Sequence, residues 1–289
     1  MSLNLTEINS PNNTVIEEHN YFSRDGKNLF CAEFVPNSKP LAGLVLCGPF
    51  AEERVRTIRV YVSFARALAS MGTAVICFDY YGDGDSEGAF GDASFNDRIA
   101  DIKGIYRYFK EKHSLDKTAL LGLRWGGTLA AHTAEILSPG ALILWEPVID
   151  TSEYFYNHLR SHLASQMLIE KKIIRDRDQL LSDLKAGQTI MVEGYELTGE
   201  FFVTASENGL KDKSSEYKGD VLVVQIGPNV SSIRPELTAL ADCYPKSELV
   251  AIPREFEWSK TETWQPAPPD LFNKTFNFLD THGFFRRNI

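Results

Sequence analysis

The chain has 289 residues, 43% of them hydrophobic and 24% charged, with a formal net charge of −9. That length buries a large core and suits one large domain or one domain with an insertion, and the negative balance argues against a nucleic-acid backbone or an anionic membrane as the main partner. No apolar run approaches the roughly 20 residues that span a bilayer, and Met1 to Thr14 is polar, without the basic start and apolar stretch of a secretory signal.

The four cysteines, Cys31, Cys47, Cys77 and Cys243, lie far apart, three of them inside apolar runs. No pair has metal-ligand spacing, so they read as reduced core residues of a cytoplasmic protein, with no metal and no cofactor expected. Val15 to Phe34 reads as a strand pair around Ser23–Asn28, where Asp25-Gly26 supplies the reversal. Leu41 to Leu46 is a short apolar run of the kind found in a parallel sheet covered on both faces. From Arg54 to Met71 apolar residues recur at a helical period until Gly72. Thr73 to Phe78 is the next buried strand and runs into an acidic, glycine-rich loop, Asp79 to Gly88. Ser94 and Asp97 form a capping-box variant ahead of one apolar stripe, Phe95, Ile99, Ile102, Tyr106 and Phe109. A strand from Thr118 to Leu121, a helix from Thr128 to Leu137 and a strand from Ala141 to Trp145 complete the first half.

This alternation predicts an α/β fold with a mostly parallel, doubly wound sheet, whose ligands sit at the carboxyl ends of the strands. The pattern breaks between residues 151 and 217. There, helices over Tyr154–Glu170, Asp178–Ala186 and Glu200–Glu207, with an extended stretch from Gln188 to Leu197, read as an inserted helical cap. Strand–helix alternation resumes with Val221–Ile226, Leu237–Asp242, Glu248–Ile252 and Asp270–Leu279. Residues 15–150 and 218–289 therefore form the core, and 151–217 the lid.

The stretch that organises the rest is Gly122-Leu123-Arg124-Trp125-Gly126-Gly127. Strand, glycine-flanked turn and helix are the setting of the nucleophile elbow, G-x-S-x-G, whose central residue is pushed into the pocket by a strained backbone. Here that residue is Arg124, which cannot lose its proton near neutral pH and cannot attack a carbonyl.

The order of motifs resembles the α/β-hydrolase superfamily, in its serine-aminopeptidase-like branch with a lid, from about Glu17 to Leu279. More narrowly it is similar to the exosortase A system-associated hydrolases, on Pro49–Glu53, Asp79–Ser86, Gly122–Gly126, Leu144–Val148 and Gly194–Leu197. Some members of that family also carry arginine at the elbow. The resemblance implies an acid after the strand Val221–Ile226, where the chain has Asn229 and Val230. It implies a histidine after the last strand, where the chain has Glu255, Glu257, Trp258, Glu262 and Trp264. All three triad positions are thus altered, which is hard to reconcile with acyl-enzyme chemistry. By the same resemblance, the oxyanion donors would be the amides of Trp125 and of a residue near Phe50.

The ligand site is expected to be lined by Phe50, Glu53, Arg124, Trp125, Glu146 and Trp264. Arg124 reads either as an anion clamp or as half of an internal ion pair, with Glu146, Asp83, Asp85, Glu52 and Glu53 all candidates to neutralise it. Ser86 reads as a turn residue bonding backbone, with a nucleophile as the alternative. His158 and His162 share one helical face. They read as solvent-facing, with a metal or an acid–base pair as the alternative; His19, His113, His132 and His282 receive no role. Trp125, Trp258 and Trp264 suit either a pocket wall or plain core.

Three functions compete. The first is a pseudoenzyme whose lidded pocket binds a small-molecule ligand, anionic or acyl-bearing. The second is a hydrolase or acyltransferase acting on ester, thioester or amide bonds, with Glu53, Glu146 or Glu257 as base for a water. The third is an accessory protein of a polysaccharide-export or sorting system, for which a homodimer stays open.

Overall fold

A computed structural model of the chain describes residues 15–169, 171, 175–211, 213–258 and 267–285. Strands β1 (Val15–Arg24) and β2 (Lys27–Pro36) form a hairpin closed by Asp25 and Gly26, both at positive φ. The short apolar runs then become the interior strands β3 (Ala42–Cys47), β4 (Thr73–Phe78), β5 (Thr118–Leu123), β6 (Ala141–Trp145) and β9 (Asp220–Gly227), and the edge strand β10 (Ser247–Pro253). Every residue of β3, β5 and β6 is buried, as a strand covered on both faces requires. Together they make one eight-stranded sheet in the order β1-β2-β4-β3-β5-β6-β9-β10, antiparallel at β1/β2 and β2/β4 and parallel elsewhere.

Helices cover both faces. On one side α1 (Ala51–Ser70) and α8 (Pro269–Thr281) pack Phe64, Leu68, Phe272 and Phe276 against β3, β5 and β6. On the other lie α2 (Phe95–Lys112), α3 (Trp125–Leu137) and α7 (Pro235–Asp242). The Ser94 hydroxyl accepts from the Asp97 N–H and the Asp97 carboxylate accepts from the Ser94 N–H, completing the capping box that starts α2. Helix α1 begins three residues before the apolar period does, because Glu52 and Glu53 fill its first turn, where the helix dipole favours carboxylates.

Between β6 and β9 come α4 (Thr151–Ile169), α5 (Arg177–Lys185), the hairpin β7 (Ile190–Val192) and β8 (Tyr195–Leu197), and α6 (Gly199–Glu207). The single extended stretch expected over 188–197 is corrected to a two-stranded hairpin, folded at Glu193 and Gly194, both at positive φ. Phe155 and Leu159 of α4 and Phe201 and Phe202 of α6 are buried in the same cluster as Phe50 and Trp125, so this insertion shares the core rather than resting on it.

The turn between β5 and α3 is fixed by close backbone approach. A Cβ on Gly122 would lie 2.2 Å from the Gly126 carbonyl oxygen, and one on Gly126 2.2 Å from the Cys47 oxygen. The Tyr61 hydroxyl ties the same strands together: it donates to the Cys47 carbonyl at 2.8 Å and accepts from the Leu123 N–H at 3.0 Å. Arg124 is thereby held at φ 54°, ψ −126°.

Two outcomes follow from these contacts. Gly126→Ala is expected to destabilise the chain by about 3 kcal/mol or more, the upper range of overpacking, whereas Gly227→Ala, with nothing within 4 Å of its would-be Cβ, should change little in a urea titration. His132 on α3 lies 3.0 Å from the Asn208 carbonyl oxygen through Nε2 and 3.0 Å from Lys213 Nζ through Nδ1. Burial, then the Lys213 charge, lower its pKa to about 4. Between an unfolded value near 6.5 and that folded value the unfolded chain binds the extra proton, so stability is lost as pH falls through the window. The loss reaches about 3 kcal/mol by pH 4. His132→Gln should flatten that part of the stability–pH curve; an unchanged slope would refute the assignment.

Candidate ligand site at the turn between β5 and α3

Residue 124 enters the site with its backbone fully committed. Its N–H donates to the Trp145 carbonyl at 2.9 Å, and its carbonyl accepts from Gly127 N–H at 2.9 Å and Val148 N–H at 3.3 Å. The side chain is 19% exposed and, among the described residues, meets a single carboxylate, with Nε 3.4 Å from Glu53 Oε1. The other oxygen of Glu53 accepts from the Tyr154 hydroxyl at 3.0 Å. Two rings flank the guanidinium, Trp258 at 5.2 Å and Tyr154 at 5.5 Å from their centroids, within cation–π range. Burial alone would lower the pKa of Arg124, but the charges of Glu53, Tyr154 and Glu146 outweigh it and hold the group above its ordinary value. Among the described residues its two terminal nitrogens donate no hydrogen bond.

The other candidate partners are spent elsewhere. Glu146, expected to face the ligand, is buried at φ 46°; its Oε1 takes Arg234 Nη2 at 2.5 Å and its Oε2 the Ile226 N–H at 2.7 Å. Asp83 pairs with Arg98 at 2.7 Å, and Glu52 lies 3.5 Å from Arg56 and accepts from the Tyr195 hydroxyl. Asp85 is exposed on its loop. The Ser86 hydroxyl donates to the Asp79 carbonyl at 2.6 Å and accepts from the Phe30 N–H, the backbone-bonding role of a turn serine.

The side chains of Phe50 and Trp125, expected at the ligand site, are both buried in the core cluster under the insertion. Phe50 stacks on Phe201 at 5.5 Å and meets Trp125 and Phe155 edge-on, filling the space beneath the insertion. Their backbone N–H groups donate no hydrogen bond among the described residues, so both remain available as donors. After β9, Asn229 is exposed and bonds locally to Ser231 and Ser232. After β10, Glu257 lies 3.3 Å from Arg254, and Trp258 is the residue that reaches Arg124. Trp264 and Glu262 lie outside the described residues.

Arg124 lines two cavities that also share Tyr154 and Asn157. The larger, about 530 Å³, adds Asp150, Glu153, Lys211, Arg234 and Glu236. The smaller, about 270 Å³, adds Glu52, Glu53, Arg56, His158 and Glu193. His158 is thus corrected from solvent-facing to cavity-lining, packed edge-on against Phe50 and Tyr154. Burial is the first cause of its lowered pKa, which keeps the ring neutral at neutral pH. The signal was present in Tyr154, Phe155, His158 and Leu159, one face at helical spacing.

Sequence reasoning also passed over Arg98, which is 1% exposed inside α2 and ringed by Tyr80, Phe90, Phe201, Trp125 and Phe50, with centroids 5.2–6.0 Å away. Among the described residues Nη1 alone finds a partner, Asp83; Nε and Nη2 have none, nor do the neighbouring Tyr80 hydroxyl and Trp125 Nε1. Among the described residues no cluster of His, Cys, Asp and Glu is arranged to hold a metal ion, and no helix is long and apolar enough to cross a membrane.

Residues 50–186 match the sequence model of the serine aminopeptidase family. No curated protein matches the chain. Among solved structures, Est1E from Butyrivibrio proteoclasticus with bound ferulic acid is similar at a TM-score of 0.67 and 19% identity, covering 91% of this chain and 98% of that one. Mouse alpha/beta hydrolase domain-containing protein 10 gives 0.59 and 18%, over 91% and 98%. Proline iminopeptidase from Mycobacterium smegmatis gives 0.57 and 15%, over 92% and 99%. At such identities the likeness concerns the fold: with the sheet order and the glycine-walled turn, it gives the chain the α/β-hydrolase fold.

Proposed function

We propose that the chain is a non-hydrolysing member of the α/β-hydrolase superfamily, with a degenerate triad and a lidded pocket that binds a small anionic or acyl-bearing molecule through Arg124. One observation carries the reading: a guanidinium at the strained turn lines two cavities, and among the described residues its two terminal nitrogens donate no hydrogen bond. An arginine supplies no nucleophile, because its proton is not lost at any physiological pH. It does supply a planar fork for a carboxylate or phosphate. The loops where the relay acid and histidine are expected offer Asn229, Val230 and Trp258 instead. The segment 151–217 serves as the lid, with Tyr154, Asn157 and His158 facing the anion.

Thermal unfolding with acetate and phosphate tests this. A ligand at about a hundred times its Kd adds about 2.7 kcal/mol, a shift of several degrees in Tm for a chain of this size. The shift should vanish in Arg124→Gln, and in Arg124→Gln/Glu53→Gln, which removes the charge without leaving Glu53 unpaired. Turnover of p-nitrophenyl acetate above background, abolished by the same substitutions, would sink the reading.

A second reading has its own support. Neutral His158 and Glu53 line the smaller cavity beside Arg124, an arrangement in which either side chain serves as general base for a water while the arginine holds the developing oxyanion. It requires ester or thioester turnover that falls about a hundredfold in His158→Gln. The absence of turnover in the unsubstituted chain eliminates it.

A further inference from the structure

The wall of the larger cavity specifies more than an anion. We infer that its ligand is a hydroxylated acid, a carboxylate held by Arg124 and carried on a chain or ring rich in hydroxyl groups. The inference rests on the anion-binding reading of Arg124 and names the class of molecule that the same site takes.

At the cavity mouth, basic and acidic side chains alternate. Lys211 Nζ lies 3.8 Å from Asp150, and Arg234 lies 2.5 Å from Glu146 and 3.7 Å from Glu236. Glu153 and Asn157 of α4 add to this polar lining, and Pro147, Val148, Ile149 and Leu237 form the apolar part of the wall. Glu153 and Glu236 sit in the first turns of α4 and α7. Each cation at the mouth therefore already faces a carboxylate. A second anionic group on the ligand would meet Asp150, Glu153 and Glu236 at close quarters. An aliphatic tail could lie on the apolar part of the wall, but wherever it crosses the charged side chains it would strip their water and return no hydrogen bond, which is unfavourable for every polar group so covered.

Hydroxyl groups answer both demands at once. Each donates to a carboxylate and accepts from an ammonium, guanidinium or amide nitrogen. A short polyol segment can thus span alternating donors and acceptors without adding charge. The floor has a different balance: among the described residues Glu53 is the one carboxylate within ion-pair reach of Arg124, it shares its second oxygen with Tyr154, and the terminal guanidinium nitrogens donate no hydrogen bond. The ligand's negative end belongs there and its hydroxylated part at the mouth. Polarity is thereby graded along the cavity, from a cation at the floor to a neutral mixture outside.

Calorimetric titration of the full chain with four probes of similar length tests this: gluconate, hexanoate, adipate and glucose. Gluconate should bind about tenfold tighter than hexanoate or adipate, the factor that one or two well-made hydrogen bonds to charged groups supply, and glucose should bind weakest. Glu236→Gln should lower the ratio of gluconate to hexanoate affinity. Hexanoate or adipate binding as tightly as gluconate would overturn this inference while leaving the anion site standing. No binding by any of the three acids would overturn the anion site itself and this inference with it.

Discussion

A guanidinium that cannot shed its proton is set four-fifths out of water at a β-to-α turn, and the surroundings are arranged around its charge. An isolated buried cation would cost several kcal/mol (order of magnitude), so a carboxylate within reach is a condition of folding. Glu53 meets that condition from the first turn of α1, a position where a helix dipole already favours negative charge. Its second oxygen takes the Tyr154 hydroxyl, which draws the start of α4 toward the turn. The faces of Tyr154 and Trp258 then shield the guanidinium while leaving its far edge open. One ion pair thus brings together three elements far apart in the chain.

The contrast with Arg98 shows why the two arginines differ in prospect. Both are buried cations with one carboxylate, and Phe50 and Trp125 pack beside the turn that carries one and against the guanidinium of the other. Arg98 is enclosed by aromatic rings on every recorded side, with two nitrogens left without acceptors. Ordered water is the usual answer to donors so placed. Arg124 opens instead onto two cavities. Aromatic filling under the insertion therefore closes the space on one side of the turn, and the cavities lie on the side where Arg124 opens.

Much of the fold was legible because it depends on local periodicity. Apolar runs bounded by glycine or acidic loops gave the interior strands to within a residue or two, and the capping residues Ser94 and Asp97 marked the start of α2. The hairpin over Ile190–Leu197 was less legible, since two three-residue strands around Glu193-Gly194 are too short to show alternation. The site was legible at Arg124 and in the pool of carboxylates, but the selection among them was not. Five acidic residues converge on the strand ends, and which one pairs is decided by helix placement and by competing cations such as Arg98 and Arg234, which sequence spacing does not encode. Trp258 was named only as one of three candidate tryptophans, because its reach to residue 124 depends on how β10 pairs with β9.

The shape of the turn and its chemistry are set by different residues, and this separates what the fold implies from what it leaves open. Gly122 and Gly126 fix the path through contact with backbone atoms of β3 and α3, so the same sharp bend forms whatever side chain occupies position 124. That side chain then bears the cost of a positive φ, about 1–3 kcal/mol for a residue other than glycine. A glycine at 124 would relieve the strain, and any small polar residue would avoid burying a charge. An arginine instead adds a desolvated cation to a strained backbone. Two destabilising choices thus fall on one residue at the edge of two polar cavities, a combination that packing alone does not favour.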